Sequence, residues 1–549
     1  MSQSIKQLIL VLLLGSVIIS GFNHHEAQSQ TNQSEEHPNY LQIPLDNSVS
    51  TIDPGLVHTT NSIEVVEQLF LGLSSFEPKT YKVVPELATK WQVNEDRTVY
   101  TFQLRQDAKW SNGDPVTAHD IVWAVRRNLA QDSNFVYMLH ILKNAKAIKN
   151  NPSLPLGIRA IDDYTVEFTL EHAASYFPAM AGLWMYRPLP SRIIKNNGKN
   201  WIEPKHIQTN GPYQLTKWHK NEKLVLQKNP HYYDADKVLV PAIHYRIISN
   251  PVIGLAMYEH NELDIIGGVY LALPKMEIPD IGFDATLRRE IHYSVSFCTE
   301  FYGFNTRKPP MDNLLVRKAI AAAVDKQVIN DFVVWGIHTP ATTFTSPPIF
   351  GSVDPQEKVG ISFDPKQAKA WLAEAGYPKG NGFPEVVLLY NILPNGIPTD
   401  IANAVKQMLK YYLNIDIVIK GIEDEYEYYQ KIEQPNTPHI FRMYWCTEYP
   451  DANNWLYEAF HPSDGYQWVG WNNRDFAEAV EKAQRISDPK ERQKLYRRAE
   501  EILTEEQAAI VPLFFINTQC LVKPWVKGWY NMAFGGQHIR NWQLEKGGK

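Results

Sequence analysis

The chain has 549 residues, of which 44% are hydrophobic and 21% are charged, the composition of an ordinary soluble globular protein. A chain of this length predicts about two to four domains or lobes. The net charge of −6 gives no electrostatic basis for binding nucleic acid, so we expect no nucleic-acid partner.

The first 29 residues have the features of an export signal. Lys6 precedes an apolar run over residues 8–19 that is short for a transmembrane span, and Ala27-Gln28-Ser29 is a candidate cleavage site. We therefore predict a signal peptide over 1–29, with an uncleaved membrane anchor as the alternative. Because the first cysteine is Cys298, a lipid-modified cysteine near the start is excluded, and we expect a periplasmic protein.

Strands and helices are predicted in alternation along the first half of the chain. Alternating apolar and polar residues indicate half-buried strands, and apolar residues at helical spacing after Asn61 and Thr117 indicate capped helices. Asn210-Gly211-Pro212 precedes a predicted hairpin. The predicted strands cover 40–44, 99–104, 164–170, 213–218, 223–227 and 265–266, and the predicted helices include 65–70, 121–129 and 257–264.

The second half alternates more regularly. Asp364-Pro365 and Asp488-Pro489 each place a capping carboxylate before a proline in the first helical position. Since no internal repeat or long linker is visible, the pattern predicts an α/β fold whose domains are discontinuous in sequence. The predicted strands cover 288–304, 385–390, 415–420 and 510–515, and the predicted helices cover 314–324, 365–376, 401–413 and 490–503.

Sequence motifs for catalysis or metal binding are absent. The chain has no Gly-x-Ser-x-Gly elbow, no Walker A loop and no His-Glu-x-x-His helix, and its 17 histidines are scattered. Cys298, Cys446 and Cys520 have no zinc-ligand spacing, although a pair of them can bridge in an oxidising compartment. We therefore expect no enzyme, cofactor or metal. A hydrolase with two carboxylates brought together by the fold, and an adhesin, are the rival hypotheses.

Residues 442–451 are the most informative stretch. They combine Arg442, an aromatic pair at 444–445, Cys446, and the carboxylates Glu448 and Asp451. A carboxylate beside apolar walls can hold an amine as a strong ion pair, and a nearby guanidinium can meet a carboxylate. A ligand with both groups is a peptide. The alternative is a plain strand-to-loop junction with a buried Trp445, in which Asp451 caps a following helix.

Blocks spread over nearly the whole chain resemble the extracytoplasmic solute-binding proteins of oligopeptide and dipeptide ABC transporters, also called family 5 bacterial solute-binding proteins. This resemblance implies a two-lobed periplasmic binding protein fold with a hinge and an extra N-terminal α/β domain. It places lobe I at 38–61, 190–297 and 518–549, the extra domain at 62–189 and lobe II at 298–517. The matching blocks are 67–73, 85–91, 100–120, 210–213, 229–233, 316–320 and 373–378.

The resemblance also implies roles for residues of the 442–451 stretch. Trp445-Cys446-Thr447-Glu448-Tyr449 is similar to a Trp-Cys-Ala-Asp-Tyr motif whose aspartate takes the terminal amine of the peptide. Glu448 here keeps the charge one methylene further out, and Thr447 replaces the alanine. Trp445 is either a core or a cleft residue.

Other predicted site residues come from the same resemblance. Arg442 matches an arginine near the carboxylate end of the ligand, and Tyr426 matches an aromatic wall of the cleft. Cys298 and Cys446 match a disulfide at the base of the site, which leaves Cys520 as a free thiol. Residues 47–50, which include Ser48, Val49 and Ser50, match a strand edge that offers its backbone to the ligand. Tyr137 is predicted to line the cleft from the extra domain.

The function implied by the resemblance is capture of a peptide. The peptide is enclosed between two closing lobes and passed to an ABC transporter permease and ATPase complex. The protein is expected to be a monomer. The same scaffold carries other solutes, so an oligosaccharide, a glycan fragment and a nickel chelate remain alternatives to the peptide.

Overall fold

The computed structural model describes residues 39–546, apart from 132, 394, 434–436 and 467. The predicted signal peptide lies outside this range. Strands and helices alternate along most of the described chain, which confirms the predicted α/β class. None of the described helices combines the length and the apolar character that crossing a membrane requires.

The strands are short except for two that exceed twelve residues. In chain order they are β1 (Leu41–Leu45), β2 (Ser74–Phe76), β3 (Val83–Pro85), β4 (Ala88–Val93), β5 (Val99–Leu104), β6 (Ile158–Asp162), β7 (Thr165–Thr169), β8 (Tyr213–His219), β9 (Lys223–Lys228), β10 (Ala242–Ile247), β11 (Ile265–Gly267), β12 (Ile291–Phe304), β13 (Thr339–Pro340), β14 (Val386–Asn391), β15 (Ile417–Ile422), β16 (Ile440–Cys446), β17 (Ile510–Val522), β18 (Val526–Lys527) and β19 (Gln543–Leu544).

The helices are mostly of two to four turns. They are α1 (Thr60–Leu69), α2 (Ala118–Leu129), α3 (Phe177–Met180), α4 (Ser191–Asn197), α5 (Pro251–Glu259), α6 (Ile278–Phe283), α7 (Leu287–Glu290), α8 (Leu314–Ala323), α9 (Lys326–Phe332), α10 (Pro365–Glu374), α11 (Ile397–Leu413), α12 (Glu425–Ile432), α13 (Ala452–Phe460), α14 (Arg474–Arg485) and α15 (Pro489–Glu501).

The larger sheets divide the chain into discontinuous parts. One sheet has the order β1-β10-β9-β8, and an antiparallel sheet of order β4-β5-β7-β6 lies in sequence between β1 and β8. The chain therefore leaves the first sheet after β1 and returns to it more than a hundred residues later. The first sheet is thus built from segments that are not continuous in sequence. The third sheet has the order β11-β17-β12-β16-β14-β15, with β13 beside β17.

The long strands β12 and β17 connect two regions of the third sheet. Their antiparallel register is interrupted between the pairs Val295↔Asn517 and Thr299↔Phe515. On one side of the interruption β17 pairs with β11, and on the other side β12 pairs with β16. Of the predicted boundaries between lobe I and lobe II, 297/298 falls within this interruption and 517/518 falls at its edge, just beyond Asn517. The domain boundaries themselves stay a prediction.

Local signals were accurate where caps or alternation were strong. The strand over 99–104 and the hairpin of β8 and β9 are confirmed, and Asp364 and Asp488 cap α10 and α15. The helix expected at 257–264 is wrong in position, because α5 begins at Pro251. The Asn250 side chain accepts hydrogen bonds from the amides of the first turn. Asn250-Pro251 is therefore the sequence signal for the start of α5.

The disulfide between Cys298 and Cys446 is confirmed, and it joins directly opposed residues of β12 and β16. It closes a sequence separation of 148 residues. Cys520 on β17 is the free cysteine, and burial raises the pKa of its thiol to about 12. The covalent link therefore fixes the end of β16, where the 442–451 stretch leaves the sheet.

We expect the double variant Cys298→Ser/Cys446→Ser to lower the free energy of unfolding by about 2–4 kcal/mol, because the open loop gives the unfolded chain more conformational freedom. Urea unfolding followed by circular dichroism measures this change. A reductant should lower the urea midpoint of the native protein and leave that of the double variant unchanged. Equal midpoints for the native protein and the double variant would contradict the stabilising role.

Candidate functional site

A cavity of about 490 Å³ lies between two separate parts of the chain. One wall comes from residues 137–180, which include the helical turn Val136–Leu139, and the other wall comes from residues 445–484. The volume is that of an ordinary small-molecule pocket. Aromatic side chains and carboxylates form much of the lining, including Tyr137, Tyr176, Trp445, Tyr466 and Glu458.

The 442–451 stretch forms the end of β16 and the loop that leads into α13. Trp445 is only 9% exposed, and its ring packs edge-on against Trp468 and Tyr466. It also lines the cavity, so it is both a core and a cleft residue. Its indole Nε1 has no hydrogen-bond partner among the described residues.

Two carboxylates share one amide at the end of this loop. Asn454 Nδ2 lies 2.6 Å from Glu448 Oε2 and 2.6 Å from Glu458 Oε2. The amide is oriented by Thr447 Oγ1 and by the backbone N–H of Glu448, which both donate to Asn454 Oδ1. The carbonyl end is thus occupied by donors, so the NH₂ end must face the carboxylates.

Each carboxylate also accepts a tyrosine hydroxyl. Tyr449 donates to Glu458 Oε1 at 2.5 Å, and Tyr137 is in hydrogen-bonding contact with Glu448. Tyr137 comes from the opposite wall of the cavity, and Tyr176 from that wall stacks on Tyr449 with a centroid separation of 5.5 Å. These contacts hold the two walls together around the carboxylates. The role of Tyr137 in a ligand cleft stays a prediction.

The pKa values of both carboxyl groups are raised. Burial raises the pKa of Glu448 to about 7, against the opposing effect of its hydrogen bonds. The pKa of Glu458 is raised to about 8, mainly by burial and to a smaller extent by the charge of Glu448. Neither group forms an ion pair with a cation in the described part of the chain. The pair therefore lacks a positive counter-charge from the described residues, and a cationic ligand would stabilise its ionised form.

The side chain of Asp451 is occupied by structural contacts. Its side chain caps α13 by accepting from the N–H of Asn453, and it pairs with Arg492 at 2.9 Å. Tyr496 also donates to it. The choice of Glu448 over Asp451 as the candidate amine anchor thus agrees with the geometry, because the charge of Asp451 is already matched.

Arg442 lies in a buried ion pair. Its Nε and Nη2 are 3.1 and 2.9 Å from the two carboxylate oxygens of Glu300, and Nη1 donates to Asn391. Arg442 and Glu300 are each 5% exposed. Arg442 does not line the cavity beside Glu458. Its role at the carboxylate end of a ligand stays a prediction.

The remaining predicted site residues do not line this cavity. Tyr426 on α12 is 72% exposed. Ser48 and Ser50 are exposed and Val49 is buried, in an irregular segment that follows β1. The expected strand edge at 47–50 is therefore not a strand here, and contact of these residues with a ligand stays a prediction. Cys446 lies beside the site through its disulfide, and Thr447 is buried where it orients Asn454.

Glu458 was missed by sequence reasoning. It follows Asn454 by four residues on α13, and side chains at this spacing share a helix face. The spacing was therefore available as a signal once α13 was known to begin at Ala452. The sequence could not show that this face points to a cavity.

Comparisons with known proteins identify the relatives of this chain. A family model described as bacterial extracellular solute-binding proteins, family 5 middle, matches residues 82–467. The oligopeptide-binding protein OppA of Bacillus subtilis is 28% identical, over 97% of this chain and 98% of the relative. The probable deoxycholate-binding periplasmic protein YgiS of Escherichia coli is 30% identical, over 87% and 88% of the two chains.

Solved structures show the same architecture. The unliganded open form of the periplasmic murein tripeptide-binding protein MppA has a TM-score of 0.78 and 27% identity, over 92% of this chain and 97% of that one. OppA of Haemophilus influenzae in complex with the peptide RPPGFSPFR has a TM-score of 0.72 and 28% identity, over 92% and 99%. The two-lobed α/β fold is thereby confirmed. The chain belongs to the family 5 bacterial extracellular solute-binding proteins.

Proposed function

We propose that this protein captures a peptide in the cavity between residues 137–180 and 445–484, with the terminal ammonium group of the peptide beside Glu448. The observation that carries the proposal is the carboxylate pair Glu448 and Glu458, which has no cationic partner among the described residues. A ligand ammonium would supply the missing charge and hydrogen-bond donors. Relatives named as oligopeptide-binding proteins support the same ligand class.

One relative is named as deoxycholate-binding, but the carboxylates of this site do not favour an anionic ligand. A negatively charged ligand group near Glu448 and Glu458 would raise the electrostatic cost of ionising them. An oligosaccharide could stack on Trp445 or Tyr466, but it would leave the carboxylates without a cation. Peptides are therefore the ligand class that the site chemistry supports best.

The proposed route of the ligand follows from the family. The protein is exported by its N-terminal segment, acts in the periplasm as a monomer, and hands the peptide to an ABC transporter permease and ATPase complex. The two walls separate to admit and release ligand, by hinge motion at the interruption between β12 and β17. The peptide leaves intact, because the protein acts as a receptor and not as an enzyme.

We expect Glu448→Gln to weaken binding of trialanine by about 10- to 100-fold, because a hydrogen bond to a charged partner contributes about 1.5–3 kcal/mol. Calorimetric titration of protein stripped of ligand by unfolding and refolding measures the loss. N-acetyl-trialanine is the matched control, and it should bind weakly to both proteins. Equal affinity of the native protein for the free and acetylated peptides would sink the role of Glu448.

Binding of trialanine at about pH 6.5 should release protons, since a cation favours the ionised carboxylates whose pKa values are about 7 and about 8. The peptide amine, with an ordinary pKa of about 7.7–8.0, is already protonated at that pH and takes up little. Calorimetry in buffers of different ionisation enthalpy counts the protons.

The same pKa shifts set the sign of the stability change. Because both folded-state values lie above the unfolded value, the ligand-free protein holds extra protons and should lose stability as the pH rises through 7 to 8. A saturating cationic peptide should remove that loss. If calorimetry detects no proton release when the peptide binds, the ligand cation does not lie beside Glu448 and Glu458.

A further inference from the structure

Glu458 lines the cavity with a second carboxyl group, whose ionised form would not be neutralised by one ligand ammonium beside Glu448. Its two oxygens accept from Tyr449 and Asn454, and neither donor carries a charge. Glu448 accepts from the same Asn454 amide. If the terminal ammonium of a peptide lies beside Glu448, as proposed above, a second carboxylate remains in the wall with no cation from the described chain.

An independent observation indicates a missing donor at the same wall. Asn453 is 1% exposed and lines the cavity, and its Oδ1 has no hydrogen-bond partner among the described residues. Its Nδ2 is used to donate to the hydroxyl of Tyr449. A buried acceptor without a donor costs free energy, so a ligand that brings donors here is favoured.

Aromatic rings border this part of the cavity. Tyr466 stacks on Trp468 with centroids 4.4 Å apart, and Trp445 packs edge-on against both rings. Tyr466 and Trp445 line the cavity. Such rings can cover the aliphatic stem of a long side chain and attract its cationic end.

Among the described residues, no other ionisable group of the lining, which also includes His172, forms an ion pair with Glu458. Glu171 and Asp464 are exposed carboxylates, and Lys146 is exposed on the opposite wall. Burial lowers the pKa of His140, which keeps that ring neutral near pH 7. The lining therefore contains more carboxyl groups than cationic side chains.

We propose that Glu458 and Asn453 form a second cation subsite, which selects peptides with lysine or arginine as the first residue. The ammonium of lysine carries three donors and the guanidinium of arginine carries five, enough for Glu458 and the free Asn453 Oδ1. This inference rests on the proposed function and adds a preference for the first side chain. Glu458 is a specificity-determining residue in this arrangement.

The test compares Lys-Ala-Ala with norleucine-Ala-Ala, whose first side chain has a similar length and no charge. Calorimetric titration of the stripped native protein should give the lysine peptide about tenfold higher affinity, the effect of one charge-assisted hydrogen bond. In Glu458→Gln the two affinities should agree within about twofold. Glu478→Gln, which removes an exposed carboxylate of α14, should keep the native preference.

The outcomes separate the two proposals. Equal affinities in the native protein overturn the second subsite and leave peptide capture intact. A lysine preference that survives in Glu458→Gln overturns the assignment to Glu458. Binding of neither peptide overturns the proposed function, and the subsite with it. The native-protein comparison decides the matter even if Glu458→Gln does not fold.

Discussion

The antiparallel pairing of β12 with β17 is the interaction on which the other parts depend. One stretch of this pair adjoins β11, and the other stretch adjoins β16, which leads to the candidate site. The interruption of the register, between Val295↔Asn517 and Thr299↔Phe515, lies between these two stretches. Bulges of this kind bend a strand pair without breaking it.

Buried anchors fix the loop between β16 and α13 to this framework. Arg442 pairs with Glu300 on β12, Cys446 bonds to Cys298, and Asp451 pairs with Arg492 on α15. The charges of Arg442 and Asp451 are each matched by an ion-pair partner inside the protein. The loop therefore holds Glu448 in place without an ion pair to Glu448 itself, and the carboxylate accepts hydrogen bonds only from the uncharged side chains of Asn454 and Tyr137.

The candidate site combines a hydrogen-bonded wall with two buried carboxyl groups that have no cationic partner among the described residues. Asn454 holds Glu448 and Glu458 close together, and burial makes their simultaneous ionisation costly. Tyr137 and Tyr176 reach the same loop from the opposite wall. The contact between the two walls and the environment of the carboxylates therefore involve the same few side chains.

The sequence by itself determined the α/β class, the main strands and helices, the disulfide partners through the family resemblance, and Glu448 and Tyr137 as candidate site residues. These follow from local periodicity, caps and a short motif, which one stretch of chain contains. Only the tertiary structure decided that Arg442 is matched by Glu300 and that Asn454 joins Glu448 to Glu458. Partners of buried charges come from distant segments or from a helix face whose direction depends on packing, and no local pattern records either.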